Sequence, residues 1–359
     1  MESEAAIRDA LTHWRRRTGR FAEDRLDSIG RLDAPARARA IDLLLDLGEW
    51  AQARRAVLVW LLAWLKTVPR QPSRSEACCL PLWRSLANVC ERSADGQLLE
   101  VFWKGLAQMD PPASEPGVLP LLGVPIVHGL AHLQRLLHSL DVPVHTLAIV
   151  DQSGGRHDAE AHNLRQALRE LEQRGWPGVQ AVRVAQPFGN AGVASAWNQI
   201  LLGFPNAPLA LIANHDVVFA PGVLAQALAA MDCGRPQFLA LFPGERAFSA
   251  FLLSALAWDR VGVFDERYYP AYWEDLDYRD RLLASSEVEW LDGRFAHGAM
   301  LEANPQQSRT IAEDPVLAAH NARSFQLNRL WYLHRQRGPA SRWLPGGLWR
   351  HRWLNQWSG

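Results

Sequence analysis

The chain has 359 residues, which at about 150 residues per domain predicts two domains or, less readily, three. Its 38 lysines and arginines balance 38 acidic residues, and 48% of its residues are hydrophobic, a composition typical of globular proteins. This composition excludes a disordered or collagen-like chain. The zero net charge argues against a protein that coats nucleic acid, so we expect no nucleic-acid partner.

Three further features predict a cytoplasmic protein. The four cysteines form neither a metal-binding pattern nor a plausible disulfide framework. Residues 1–14 are acidic and polar, whereas a signal peptide begins with positive charge and continues with an apolar run. The strongest apolar stretch, residues 56–65, is well short of the about 20 residues that span a bilayer.

Residues 1–112 are predicted to form an all-α domain. Apolar residues recur at helical spacing over Ala38–Lys66, on both sides of a turn at Leu47–Trp50, which predicts a helical hairpin. Further helices are predicted over Ser75–Glu91 and Gly96–Met109. Tryptophans at helical spacing in this region favour a packed core over a partner-binding groove.

Helix-breaking residues at 110–117 predict a domain boundary, and strands and helices alternate in the domain that follows, residues 117–314. Strands are predicted over Val118–Val127, His145–Val150, Val179–Val184 and Pro208–Ala213. This alternation predicts an α/β fold, a mostly parallel sheet with helices on both faces. Ligands of such sheets bind beyond the carboxyl ends of the strands, which is where polar residues follow in this sequence.

One polar group, Asn214-His215-Asp216, directly follows the fourth predicted strand. A carboxylate at this edge of a sheet can hold a divalent cation, which neutralises a diphosphate and assists its departure. An aspartate that ends a strand is just as often a turn former or helix cap. The triplet alone leaves both interpretations open.

A second polar group lies in Val261–Leu283, where six carboxylates stand among four tyrosines. Glu274 and Asp275 come immediately before an amphipathic helix, so we expect one of them to cap the helix and the other to face the cleft. A carboxylate so placed can act as a general base on an acceptor hydroxyl. The alternative is that these acids only cap and solvate the helix.

Further motifs complete an ordered set. They are Ile149-Val150-Asp151, Gly189–Ala194 with Trp197-Asn198, Gly262–Glu266, and His297-Gly298. In this order the motifs resemble the GT-A (Rossmann-like) glycosyltransferases, in particular the family 2 group of inverting enzymes that use nucleotide-diphosphate sugars. The resemblance runs from about Leu119 to Asn304, roughly half of the chain.

The resemblance implies a role for each matching residue. The implied nucleotide-sugar site comprises Pro125, Val127, Asp151, Asn190, Gly192, Asn214 and His215. The implied ligands of Mg²⁺ or Mn²⁺ are Asp216 and His297, and the implied catalytic residues are Asp275, the base, and Glu274 beside it. Contacts that select the sugar are expected in loops such as Phe242–Phe251.

The triplet departs from the acid-rich metal motif of the family, since Asp216 is its one carboxylate. Metal affinity is therefore expected to be modest, and a metal-independent variant stays open. His215 could be a metal ligand, a donor to phosphate or a packed residue, and we favour the last two.

The C-terminal segment, residues 315–359, contains seven arginines and five tryptophans but no acidic residue. This composition suits either peripheral contact with the inner face of a membrane or docking on the catalytic domain, and docking is favoured. The sequence thus predicts an inverting glycosyltransferase that builds a surface polysaccharide or glycoconjugate, on a saccharide, lipid-linked or protein acceptor. The alternative is a degenerate protein that binds sugar nucleotides or partners, although both Asp216 and Asp275 are retained.

Overall fold

The computed structural model describes residue 29 and residues 32–67, 72–93, 97–99, 101, 115–291 and 315–337. These residues fall into two compact units that divide between Asp110 and Pro111. Most of the predicted helix Gly96–Met109 lies outside the described residues, as do His297 and residues 338–359. No described helix is long and apolar enough to cross a membrane.

The described part of the first unit consists mainly of three helices, α1 (Ala34–Asp46), α2 (Trp50–Thr67) and α3 (Pro72–Ser93). The Asp33 side chain caps α1 by accepting a hydrogen bond from the backbone N–H of Ala36 at 2.8 Å. The rings of Trp60 and Trp64 pack edge-on against that of Trp83, with centroids 5.0 and 4.8 Å apart. Trp60 and Trp64 are buried, so these tryptophans belong to a packed core.

The second unit contains a seven-stranded sheet. Its strands are β1 (Leu119–Ile126), β2 (Val144–Asp151), β3 (Val179–Ala185), β4 (Leu209–Ala213), β5 (Gln237–Ala240), β6 (Ala250–Ser254) and β7 (Glu289–Trp290). The strand order is β3-β2-β1-β4-β6-β5-β7. All pairings are parallel except those of β6, which runs antiparallel to β4 and β5. The mostly parallel sheet that the sequence predicts is confirmed.

Helices cover both faces of the sheet. They are α4 (Leu130–His138), α5 (Ala159–Arg174), α6 (Val193–Gly203), α7 (Val223–Ala230), α8 (Ala255–Val261) and α9 (Glu274–Ala284). A further helix, α10 (Pro315–Arg337), follows later in the chain. One buried apolar cluster joins the sheet to α4, α5 and α7, and a second joins it to α6, α8 and α9. A Cβ atom at Gly123 of β1 would lie 2.5 Å from Ile200 Cγ2, so glycine here lets α6 approach the sheet closely.

The prediction that residues 242–251 form a loop is wrong in part. Residues Gly244–Ser249 form a 3-10 helix, and β6 begins at Ala250. Since β6 lies between β4 and β5, this segment is central to the sheet. β6 is buried throughout, and its apolar run Ala250–Leu253 shows no alternation of apolar and polar residues that would mark a strand.

The order of the strands determines where a ligand can bind. From β1 the chain continues to β2 and β3 on one side, whereas β4 pairs with β1 on the other. Such a reversal opens a crevice beyond the carboxyl ends of the parallel strands. Here that edge is followed by Val127 after β1 and by Asn214 after β4.

Candidate functional site

A cleft of about 1340 Å³ opens at this edge of the sheet. Its walls come from the ends of β1 and β4, the start of α6, the 3-10 helix, the start of α9 and one face of α10. The predicted site residues that line it are Pro125, Val127, Asn190, Gly192, Asn214, His215, Asp216, Glu274 and Asp275. The fold thus brings together residues that are up to 150 positions apart in the sequence.

The loop Asn190–Gly192 before α6 is held by Gln152, at the end of β2. The Gln152 side chain donates to the carbonyl of Gly192 and accepts from the N–H of Ala191, both at 2.8 Å. Gly192 has a φ of +89°, and a Cβ atom there would lie 3.0 Å from the carbonyl oxygen of Pro270. The loop therefore presents backbone to the cleft in a fixed conformation.

Asp151 ends β2 but does not line the cleft. It is 2% exposed, and its carboxylate accepts hydrogen bonds from the N–H of Ser153 at 2.9 Å and from Gln186 Nε2 at 2.7 Å. In this structure Asp151 therefore ties the end of β2 to the segment after β3.

His215 is buried beside two other histidines, His128 and His132. The rings of His132 and His215 are 6.0 Å apart and meet edge-on. Burial, followed by the nearby charges of His132 and His128, lowers the pKa of His215 to about 3. His215 is thus a neutral, packed side chain at neutral pH.

Among the residues that the structure describes, no three His, Cys, Asp or Glu side chains are arranged to hold a metal ion. Asp216 is the carboxylate of the triplet and lines the cleft, whereas the second predicted ligand, His297, lies outside the described residues. Mg²⁺ is commonly held by one or two carboxylates together with phosphate oxygens. Asp216 with a diphosphate fits that donor set.

The expected capping of α9 by Glu274 or Asp275 is wrong. The helix begins at Glu274, and the residue before it, Trp273, has a φ of +78° and makes no side-chain capping hydrogen bond. Both acids lie inside the first turn, where Asp275 Oδ1 accepts from the N–H of Leu276 at 2.8 Å. They interact with the positive end of the helix dipole instead of closing the helix.

Burial changes the pKa values of these two acids. It raises the pKa of Glu274 well above the ordinary value, and the charge of Asp275 raises it further. Burial also raises the pKa of Asp275, but hydrogen bonds from backbone N–H groups at the start of α9 oppose this effect. Both carboxyls in this pair thus hold a proton to a higher pH than an exposed carboxyl does.

The segment before α9 is held by Asn328 of α10. Asn328 Nδ2 donates to the carbonyl oxygens of Ala271 and Tyr272, each at 3.1 Å, with a longer contact to that of Tyr269 at 3.4 Å. Tyr272 and Trp273 have φ angles of +73° and +78°, a conformation that costs a non-glycine residue about 1–2 kcal/mol. Helix α10 thus fixes the strained segment that leads to Glu274 and Asp275.

A second set of contacts anchors α10 through charge. Arg335 Nη1 lies 2.8 Å from Asp265 Oδ2 and 2.9 Å from Asp277 Oδ1, and all three side chains are at most 7% exposed. Trp331 Nε1 donates to Asp265 at 3.2 Å, and the guanidinium of Arg267 lies 4.4 Å from the Trp331 ring centre. The described part of the C-terminal segment is thus packed on the domain.

Comparison with known proteins gave one curated relative. No protein-family model matches the chain. A galactofuranosyl glycosyltransferase of Leishmania donovani is 33% identical over 106 residues, which are 28% of this chain and 24% of that protein. This chain is similar to a known glycosyltransferase. The resemblance that the motifs indicate is thereby confirmed, and the match spans about a quarter of the length of the relative.

Solved structures of glycosyltransferases were also found. GalNAc-T7 with UDP, GalNAc and Mn²⁺ is 12% identical with a TM-score of 0.40, and the match covers 49% of this chain and 43% of that one. Residues 1–349 of S. aureus TarS in complex with UDP-GlcNAc are 14% identical with a TM-score of 0.43, over 62% of this chain and 68% of that one.

Several residues at the cleft escaped the sequence analysis. They are Gln152, which holds the loop Asn190–Gly192, His132 and Arg246 in the wall, and Asn321 and Asn328 on α10. Gln152 directly follows Asp151 at the end of a predicted strand, which is a usable signal. The two asparagines lie more than 35 residues after the end of α9, and nothing local relates them to the site.

Proposed function

We propose that this protein is a glycosyltransferase that moves a sugar from a nucleotide-diphosphate sugar to an acceptor hydroxyl with inversion. The observation that carries the proposal is that Asp216 and the Glu274–Asp275 pair line one cleft at the carboxyl edge of the sheet. Its volume of about 1340 Å³ exceeds the about 300–1000 Å³ of a typical small-molecule site. Two substrates therefore have room to bind together.

In this proposal the donor lies along the ends of β1 and β4. Pro125 and Val127 supply an apolar surface for the base, and the backbone of Asn190–Gly192 approaches the nucleotide and sugar. The Gln152 hydrogen bonds hold that backbone in place before the donor arrives, which lowers the entropy cost of binding. Asp216 lies at the diphosphate end.

Asp275 is the proposed general base. It takes the proton from the acceptor hydroxyl while that oxygen attacks the anomeric carbon. The attack comes from the face of the sugar opposite the diphosphate, and the bond from the anomeric carbon to the diphosphate breaks. Glu274 keeps its proton and so adds no second negative charge beside Asp275. One ionised carboxylate is what a single-displacement, inverting transfer requires.

The proposed role of a divalent cation at this site is to neutralise charge on the diphosphate. Mg²⁺ or Mn²⁺ would be held by Asp216, with His297 as a second proposed ligand, and would neutralise charge on the departing diphosphate. The guanidinium of Arg246, from the 3-10 helix, also lines the cleft and adds positive charge there.

The proposed setting follows from the sequence and its resemblance. We infer synthesis of a surface polysaccharide or other glycoconjugate, on the cytoplasmic side of a membrane. Peripheral membrane contact through the arginine- and tryptophan-rich residues 338–359 is part of this proposal.

Thermal-shift measurements with UDP, GDP, dTDP and CMP, each with and without Mn²⁺, test the donor site. We expect one nucleotide to raise the unfolding temperature, with a Mn²⁺-dependent part of the shift that is lost in Asp216→Ala. Hydrolysis of the matching sugar nucleotide should then be measured in the wild type. No shift with any nucleotide contradicts the proposal, and binding without turnover of donor in the presence of acceptors favours the degenerate binding protein.

A further inference from the structure

One face of α10 forms a wall of the cleft. Ala318, Asn321, Ala322 and Phe325 recur at spacings of three and four, so they share a face of the helix, and all four line the cleft. The short side chains of the two alanines leave room in the cleft beside this face of α10. Phe325 ends this space, because its ring contacts that of Trp273, with centroids 5.5 Å apart.

Three buried polar atoms of this region have no hydrogen-bond partner among the described residues. They are Asn321 Oδ1, Trp273 Nε1 and Glu274 Oε2, and each belongs to a residue that lines the cleft. Asn321 is 5% exposed and Glu274 is 4% exposed. Buried polar groups in native proteins nearly always have partners, and a ligand bound in the cleft would supply hydrogen-bond partners for these atoms.

The chemistry of two of these atoms, Trp273 Nε1 and Asn321 Oδ1, indicates which chemical group of a ligand could bind them. The indole N–H donates a hydrogen bond and the amide oxygen accepts one, and a hydroxyl group can satisfy both. Aromatic rings of Tyr272, Trp273 and Phe325 adjoin these groups, and such rings bind the C–H faces of sugars by burying apolar surface. Among the described lining residues of α10 and of 270–276, none is basic, which disfavours an anionic acceptor.

We propose that α10 and Trp273 form the acceptor subsite, and that its ligand is a neutral saccharide. The sugar ring lies against Trp273 and Phe325, its hydroxyls bond to Asn321 Oδ1 and Trp273 Nε1, and a further hydroxyl points to Asp275. This inference rests on the proposed function, because it assigns the second substrate of the same cleft. Asn321 becomes the residue that selects the acceptor.

The test uses the full chain and measures saccharide binding by saturation-transfer NMR. The probes are methyl glycosides of glucose, galactose, mannose and N-acetylglucosamine, with lactose, maltose and cellobiose. The variant Asn321→Leu removes the polar group at similar volume, and Ala322→Phe fills the cleft from an exposed position where folding is undisturbed. Leu330→Ala, on an exposed side chain of the same helix, is the matched control.

We expect at least one probe to bind, with about tenfold weaker binding in Asn321→Leu and no detectable binding in Ala322→Phe. Leu330→Ala should bind as the wild type does, and the nucleotide thermal shift should be equal in all four proteins. Saccharide binding that survives both substitutions overturns the subsite, as does nucleotide binding without binding of any probe. Saccharide binding that responds to the substitutions without any nucleotide binding upholds the subsite and contradicts the proposed transfer.

Discussion

Glu274 and Asp275 are neighbours in sequence, yet Glu274 is the more deeply buried of the two, and we assign them different roles. We predict that Asp275→Asn lowers the rate of sugar transfer about 10²–10⁴-fold, because the general base is lost, whereas nucleotide binding is unchanged. Glu274→Gln should keep most of the activity, since glutamine resembles the protonated acid. Initial rates with a saturating acceptor check both variants, and equal losses in the two would contradict the assignment of the base.

The raised pKa of Glu274 also predicts how stability depends on pH. A carboxyl whose pKa is raised by folding contributes its stability below the ordinary value of 4.5, and this contribution is lost as pH rises towards the folded-state pKa. The free energy of unfolding of the wild type should therefore fall, relative to Glu274→Gln, as pH rises above that value. Urea unfolding between about pH 4 and pH 8 measures the difference, and equal pH dependence in the two proteins would contradict the prediction.

At the residue scale, sequence motifs identify side chains that follow strands, such as Asp216, and paired acids such as Asp275. They cannot identify Asn321 or Asn328, because only the packing of α10 brings these residues to the cleft and to the segment before α9. The expected cap of α9 was wrong for a related reason. Contacts from α10 hold Trp273 in a left-handed conformation, which no local pattern indicates.

At the scale of single elements, the turn into α6 depends on Gly192. We predict that Gly192→Ala lowers the free energy of unfolding by about 1–2 kcal/mol, because of its positive φ, and weakens nucleotide binding. Gly203 in the last turn of the same helix has open space around it, so Gly203→Ala should leave stability unchanged or raise it by about 0.4–1 kcal/mol. Urea unfolding and the nucleotide thermal shift together check the pair, and similar effects at both positions would argue against the close approach to Pro270.

The attachment of α10 depends on Arg335. Replacing it with alanine removes one partner each from the buried acids Asp265 and Asp277, although Arg267 and Arg281 still bind them. Hydrogen bonds to charged groups contribute about 1.5–3 kcal/mol, and we expect Arg335→Ala to lower the free energy of unfolding by that amount. Arg329→Ala, at an exposed position of α10, should change it by less than about 0.5 kcal/mol. A small effect in both variants would show that the ion pairs do not hold the helix.

The strands β1 to β4 were predicted to within one or two residues because each is an apolar run between polar turns. Strands β5 and β6 were not predicted. β5 has four residues, which is too short for a periodic signal, and β6 follows a 3-10 helix without a turn signal. The helix α10 was not predicted, because its apolar residues do not form a single stripe.

At the scale of the whole molecule, the described residues of the cleft all belong to the unit that begins at Pro111. We predict that a fragment of residues 111–359 folds and binds the nucleotide with an affinity within about twofold of that of the full chain, because no donor contact is lost. Isothermal titration of both proteins with the same nucleotide checks this expectation. Loss of binding in a folded fragment would assign residues 1–110 a part in the site.

The position of α10 in the sequence has a consequence for how this chain could be re-engineered. Apart from Arg246 and the proposed metal ligand His297, the residues proposed to hold the donor lie between Pro125 and Asp216. The wall formed by Ala318–Phe325 comes more than 100 residues after Asp216. The residues proposed to select the donor and those proposed to select the acceptor thus lie in separate segments of the chain. Varying the cleft-facing positions of this one helix in a library, with Asn328 and Arg335 kept as its anchors, should yield enzymes that accept new sugars while still using the same donor.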